Sequence, residues 1–190
     1  MITTPDRIEI RELVKRSLAG DETATRMLVQ RYQDRVFGFC LKILRHRQDA
    51  EDAAQETLVR MIRSLRRWDS TRRFEPWLLA IAANRCKTLL ARRAKRGKIW
   101  PLRDVACQRT GRTDESVAWR EEIALGLAQL RPEYRMALVL FHSNELSYAE
   151  IAEALDCPIG TVRVWIHRAR RQLWDWLARR EMLEKVSHAV

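Results

Sequence analysis

The 190-residue chain carries 36 lysines and arginines against 25 acids, a net charge of +11. With 32% charged residues and no apolar run near the roughly 18–20 residues of a span, a membrane-embedded protein is excluded, and the opening MITTPDRIEI lacks the apolar core of a secretory signal. The basic excess points to a polyanionic partner, nucleic acid first, and the scattered Cys40, Cys86, Cys107 and Cys157 form no C-x-x-C pair, so neither a disulfide framework nor a metal site is expected.

Alternating β-branched runs are absent, while Ala, Leu, Arg and Glu recur at helical spacing, so the fold is expected to be all-α. A first helix is expected over about Asp6–Leu18, with Ile10, Leu13 and Val14 inward and Gly20 stopping it. Asp21 then caps a long second helix reaching about Arg45, with Ala24, Met27, Leu28, Val36, Phe39, Cys40, Ile43 and Leu44 at its apolar positions. A third begins near Asp49 (DAEDAAQETLVRMIRSL), with Ala54, Leu58, Met61 and Leu65 inward. Its Asp49, Asp52 and Glu56 fall at offsets 0, 3 and 7 and share an outer face. Acids in a first turn suit the helix dipole; Gln55 and Glu56 are less well explained that way, and a protein-docking face is the second reading.

The arginine-rich loop RRWDSTRRFEPW carries Trp68 and Phe74. A fourth helix is expected from Pro76, a favoured first-turn position, to about Arg93. Leu78, Ala82, Cys86 and Leu89 lie on one side of it, and Trp77, Asn84 and Thr88, flanked by Arg85 and Arg92, on the other. Aromatics that stack on bases, arginines that follow phosphates and an amide that reads a base edge suit single-stranded nucleic acid; packing of the loop onto its domain is the other use for Trp68, Phe74 and Trp77. From Ala91 to Thr113 the helical pattern breaks, and eight cations stand against one acid, punctuated by Gly97, Pro101 and Gly111. This predicts two small helical domains, 1–94 and 115–190, joined by a basic flexible linker over 95–114.

After helices near Glu115–Leu130 and from Pro132 (PEYRMALVLFH), the second domain holds LSYAEIAEALDCPIGTVRVWIHRARRQLW. Ser147 and Glu150 form a capping-box pair, Ile151 and Leu155 face inward, and Asp156-Cys157-Pro158 makes the turn. Val162, Ile166, Ala169 and Leu173 then make one apolar stripe, while Arg163, Val164, His167, Arg168 and Arg171 occupy the opposite face. Four arginines and no acid between Ile159 and Leu173 fit the recognition helix of a helix-turn-helix in a major groove; a solvated basic face on a helical hairpin is the plainer alternative.

Taken together, four segments in order resemble the bacterial sigma factors of the extracytoplasmic-function (ECF) group of the sigma-70 family. DAEDAAQETLVRMIRSL is similar to their polymerase-binding helix, FEPWLLAIAANRCKTLL to their promoter-melting helix, LRPEYRMALVL to the lead-in of their C-terminal domain, and LSYAEIAEALDCPIGTVRVWIHRAR to their helix-turn-helix. The resemblance spans about Asp21–Leu177 and implies a cytoplasmic, nucleoid-associated, non-enzymatic initiation factor without cofactors. It implies that Asp49, Asp52, Gln55, Glu56 and Leu58 dock on the clamp helices of the largest subunit of core RNA polymerase. It also implies that Trp68, Arg72, Arg73, Trp77, Asn84, Arg85 and Thr88 engage and open the −10 element as single-stranded DNA. Thr161, Arg163, Val164, His167, Arg168 and Arg171 would then face the duplex −35 element. The flap of the second-largest subunit and an anti-sigma factor are further implied partners. Val164 and Trp165 depart from the small polar or basic residues common in relatives, which leaves the −35 sequence open, and no further domain is expected after the last helix.

An autonomous helix-turn-helix regulator would account for the C-terminal half but leave the acidic third helix and the Trp77–Asn84 face without a role. A nuclease or other enzyme would need clustered acids, a metal site or a phosphate-cradling glycine loop; there is no H-E-x-x-H and no Walker-type loop.

Overall fold

The computed structural model describes residues 4–95 and 114–187, with side chains placed for 8–95, 119 and 122–180. The expected linker over 95–114, including Cys107, falls almost wholly outside the described residues. These hold α1 (Thr4–Leu18), α2 (Glu22–Leu44), α3 (Arg47–Ser64), a single 3-10 turn (Leu65–Arg67), α4 (Phe74–Lys95), α5 (Asp114–Gln129), α6 (Pro132–Asn144), α7 (Tyr148–Leu155) and α8 (Ile159–Ser187). There is no strand among them, as the composition predicts.

Local chemistry sets most boundaries. Gly20, at φ +93°, makes the left-handed turn that ends α1, and Asp21 Oδ1 accepts from the Ala24 amide at 3.0 Å to open α2. Three starts come two residues earlier than expected: α1 at Thr4 rather than Asp6, α3 at Arg47 rather than Asp49, and α4 at Phe74 rather than Pro76. In α3 the reason is His46, whose Nδ1 accepts from the Asp49 amide and caps the helix upstream. In α4 it is aromatic anchoring. Phe74 is buried with ring centroids 5.0 Å from Tyr32, 5.1 Å from Trp68 and 5.2 Å from Trp77, and the Tyr32 hydroxyl donates to the buried Glu75 carboxylate at 2.9 Å. Pro76, now third in the helix, still forfeits no hydrogen bond, because first-turn amides have no intrahelical acceptor.

In the N-terminal body α2 is central. Its Leu28, Val36, Phe39 and Ile43 are buried with Ile10, Leu13 and Val14 of α1, Ala50, Ala53 and Met61 of α3, and Leu78, Leu79 and Ala82 of α4. The alanines on α3 and α4 let those helices approach closely, and each large side chain buried here contributes about 1.5–3 kcal/mol. Met27 points outward instead of joining this core, and Leu58 is half-buried at its edge. Cys40 and Cys86 are fully buried; contact with Cys40, then burial, pushes the Cys86 thiol upward, so it behaves as a small apolar group.

In the C-terminal body α6, α7 and α8 bury Met136, Ala137, Leu140, Ile151, Leu155, Val162, Ile166 and Ala169. Phe141 stacks on Tyr148, centroids 5.1 Å apart and planes 10° from parallel. Gly126 lets α5 lie against α8: a Cβ there would meet Leu173 Cδ1 at 2.4 Å and Trp176 Cε3 at 3.0 Å. The two bodies also touch each other, α7 lying against α4, a contact that no local pattern announced.

Candidate nucleic-acid and polymerase interfaces

The helix-turn-helix is built as its residues dictate. Ser147 Oγ accepts from the Glu150 amide while Glu150 Oε2 accepts from the Ser147 amide at 2.8 Å, a complete capping box. Asp156 takes the left-handed conformation (φ 54°) that ends α7, and the Cys157 amide closes on the Ala152 carbonyl at 3.0 Å. On α8, Val162, Ile166 and Ala169 are buried and Leu173 is half-buried, so Arg163, Val164, His167, Arg168 and Arg171 stand exposed on the other side, with Thr161 half-buried at their head. Arg168 is the one member of that face tied down: its Nη1 donates to the Tyr134 hydroxyl of α6 at 3.1 Å. Val164 is 45% exposed and gives the face an apolar patch between cations.

The acidic face of α3 is only partly as expected. Asp52 and Gln55 point to solvent. Asp49 and Glu56 instead turn toward α4, where Asp49 pairs with Arg93 and Glu56 with Arg85 at 2.5 Å. Glu56 also holds Arg60 of its own helix at 2.6 Å. The physical reason is spacing: residues 49 and 56 are two turns apart on α3, and 85 and 93 about two turns apart on α4, so one ionic seam closes both ends of the helix pair. The solvent stripe that remains is Asp52, Gln55, Val59 and Ile62, at offsets 0, 3, 7 and 10, with Val59 44% and Ile62 38% exposed. Val59 and Ile62 escaped the reading of the chain, although two apolar residues continuing an acidic stripe were visible in its helical wheel. Leu58, by contrast, packs on the core edge.

Around α4, Trp68 is not an open stacking platform. It is 8% exposed, packs edge-on against Phe74, and its indole N–H points to the Arg73 carbonyl. The loop is stiffened by Asp69, whose carboxylate is held below its usual range by the Thr71 hydroxyl and then the Thr71 amide. Asn84 and Thr88 are exposed, one turn apart, with the Thr88 hydroxyl donating to the Asn84 carbonyl at 2.9 Å. Arg85 is turned into the seam with Glu56 and is only 14% exposed, which removes it from the open face. Arg67, Trp68, Arg72, Arg73, Pro76 and Trp77 wall a cavity of about 610 Å³ that α7 closes from the other side with Ala149, Glu150 and Glu153. Arg72 pairs with Glu153, and Arg73 Nη1 lies 3.2 Å from Glu150 Oε1. The structure thus brings Trp68, Arg72, Arg73 and Trp77 together, with Asn84 and Thr88 further along α4 and Arg85 on the seam with α3. Among the described residues no cluster of three or more histidines, cysteines or carboxylates could hold a metal, and no helix is long and apolar enough to cross a membrane.

Comparison with known proteins covers both bodies. Residues 28–96 match the family profile of sigma-70 region 2, and residues 120–173 that of sigma-70 region 4. The chain is 32% identical over 177 residues to the RNA polymerase sigma-H factor of Pseudomonas aeruginosa, covering 85% of this chain and 90% of that one. It is also 32% identical over 176 residues to the ECF RNA polymerase sigma-E factor of Haemophilus influenzae, covering 85% and 91%. Its fold is similar to that of the sigma factor RpoE of Bartonella quintana, solved with the anti-sigma factor NepR, at a TM-score of 0.70 and 20% identity over 80% of this chain and 96% of that one.

Proposed function

Because the chain belongs to the ECF group of sigma-70 RNA polymerase sigma factors, and so directs promoter-specific transcription initiation with core RNA polymerase, we propose how its surfaces divide that work. Residues 1–94 act as the polymerase-docking and −10 domain, 95–114 as a basic linker, and 115–190 as the −35 domain. The α3 stripe of Asp52, Gln55, Val59 and Ile62 docks on the clamp helices of the largest subunit, an acidic start giving orientation and an apolar end giving burial. Asp49, Glu56 and Leu58 support that stripe from behind. Asn84, Thr88 and Trp77 receive the unpaired −10 strand, Arg72 and Arg73 follow its phosphates, and Trp68 and Arg85 form the wall behind them. Arg163, Val164, His167, Arg168 and Arg171, with Thr161 at the helix start, face the −35 duplex. The protein performs no catalysis in this reading and works in the cytoplasm on the nucleoid. The flap of the second-largest subunit and an anti-sigma protein are its further proposed partners.

The observation that carries this reading is that two solvent faces of different chemistry, the acidic-apolar stripe of α3 and the cationic face of α8, occur in one chain together with matches to both sigma regions. An autonomous regulator would use only the second. Transcription in vitro with core polymerase on a fragmented genome tests it: start sites sharing −10 and −35 elements are expected, and their absence with active core enzyme would refute it. Asp52→Lys with Val59→Glu should abolish co-purification with core polymerase while leaving the thermal melt unchanged. Retained co-purification would remove the α3 stripe from the docking surface.

A further inference from the structure

We propose that Val164 is a methyl reader: its side chain packs on the C5-methyl of one thymine in the −35 duplex, and so selects a T·A pair there. The inference rests on the assignment of the outer face of α8 to the −35 element made above, and names what one position of that face recognises.

The helix sets the position. Val164 is the sixth residue of α8, and its place on the helical wheel is almost opposite the stripe of Val162, Ile166, Ala169 and Leu173 that packs on the core. It is 45% exposed and takes no part in that core. Two arginines of α8 mark the edges of the outer face. On one flank Arg168 donates to the Tyr134 hydroxyl at 3.1 Å. On the other, Arg170 Nε lies 3.3 Å from His142 Nε2, and its guanidinium sits 5.1 Å from the Phe141 ring centroid. Both ties run to α6, so they leave the sector between them as the part of α8 that can enter a groove. Arg163, Val164, His167 and Arg171 fill that sector and all are exposed. Of these four, Val164 alone has a side chain with nothing to donate or accept.

Chemistry then narrows the base. The major-groove edges of the four bases display donors, acceptors and one apolar substituent, the C5-methyl of thymine. An isopropyl group pressed on a guanine O6, an adenine N6 or a cytosine N4 takes water from a polar atom and returns no hydrogen bond, which is unfavourable. Pressed on the thymine methyl, it buries two apolar surfaces together. Valine is also short and stiff. In a helix its χ1 has one strongly preferred rotamer, so it cannot swing clear of a mismatched base as a long side chain can. One residue therefore both rewards thymine and penalises its rivals, the two halves of discrimination. An N-terminal position on the helix suits the role, because a recognition helix meets base edges with its first turns.

The test uses the full chain assembled with core polymerase. The probes are promoter duplexes carrying the −35 element that this holoenzyme selects from a fragmented genome. Each thymine of the element, on either strand, is replaced singly by deoxyuridine, which deletes the methyl and keeps every hydrogen-bonding group. Wild type should bind one of these duplexes about three- to fivefold more weakly than the thymine parent, the worth of about one buried methyl. Val164→Ala, at an exposed helical site where alanine is well tolerated, should bind the parent more weakly by a similar factor. It should not distinguish deoxyuridine from thymidine at that place. Arg163→Ala should weaken both duplexes alike and keep the preference for the methyl. Three results would each overturn the inference and leave the −35 assignment standing: no methyl-sensitive thymine in wild type, a methyl preference that survives Val164→Ala, or one lost equally in Arg163→Ala. If the holoenzyme selects no −35 element, the assignment of α8 itself fails and the inference falls with it.

Discussion

The N-terminal body and the outer face of the helix-turn-helix treat arginine in opposite ways. In the N-terminal body Arg60, Arg72, Arg73, Arg85 and Arg93 each face a carboxylate, four of them on another helix. On α8, Arg163 and Arg171 stand in solvent with no carboxylate partner among the described residues, and Arg168 donates to the Tyr134 hydroxyl. Paired cations hold helices together and reach nucleic acid only when a carboxylate is displaced. Unpaired cations add nothing to the fold and meet a duplex at no such cost. The same residue type is therefore structural at these N-terminal positions and unpaired on the outer face of the helix-turn-helix, while further along α8 Arg180 pairs with Glu122 at 2.6 Å.

The sharpest way to break that contrast is charge reversal on each side of it. Glu56→Lys would set a third cation against Arg60 and Arg85, the latter nearly buried in the seam, and should destabilise the protein by about 1–3 kcal/mol. Arg163→Glu on α8 should leave stability within about 0.5 kcal/mol of wild type while abolishing binding to −35 duplex. Urea unfolding of the two variants makes the comparison; equal midpoints would mean that the seam is ornamental. It follows that Glu56 is a poor position at which to probe polymerase docking, since its loss would be felt in the fold first.

Arg168→Ala sits between the two classes. If its guanidinium makes a bidentate base contact, about 1–3 kcal/mol of −35 affinity should be lost. Tyr134→Phe, which removes only the hydroxyl that steadies Arg168, should lose less and leave the preferred sequence unchanged. A footprint insensitive to Arg168→Ala would take that residue out of the reading set.

Why one body was legible and the other only in part comes down to the range of the contacts. The capping box, the left-handed Asp156 and the Val162–Ile166–Ala169 stripe are set within a few residues of one another, so spacing alone specifies them. Periodicity puts Asp49, Asp52 and Glu56 together on one outer face, but only Asp52 stays in solvent; Asp49 and Glu56 turn to Arg93 and Arg85, about 44 and 29 residues on, which spacing within α3 could not show. Trp68 is similar: an aromatic in an arginine-rich loop can stack on a base or on Phe74, and only the fold of the loop decides. The contacts of α7 with the loop before α4 join residues 77 and 81 apart in sequence, and Lys87 of α4 reaches Leu155 across 68, with no signal in either helix except the surplus of acid on one and of base before the other. Ser147→Ala, which removes the capping hydroxyl and one partner of the Glu150 carboxylate that Arg73 faces, should cost about 0.5–2 kcal/mol.

The smallest effects should come from two left-handed turns, one in each body. Gly20 adopts φ +93° at the end of α1, where a Cβ would meet no neighbour, so the cost of Gly20→Ala is backbone strain alone, about 1 kcal/mol. Asp156 holds φ 54° after α7 with a side chain in place. Asp156→Gly relieves that strain but gives the unfolded chain more freedom, and these terms oppose each other. The relief should win narrowly, by less than about 0.5 kcal/mol, because aspartate already tolerates this conformation better than most residues. Thermal melts of both variants separate the terms. A loss at Gly20→Ala with near-neutrality at Asp156→Gly is expected, whereas a large gain at Asp156→Gly would mean that the turn of the helix-turn-helix is kept under strain that the glycine turn after α1 does not carry.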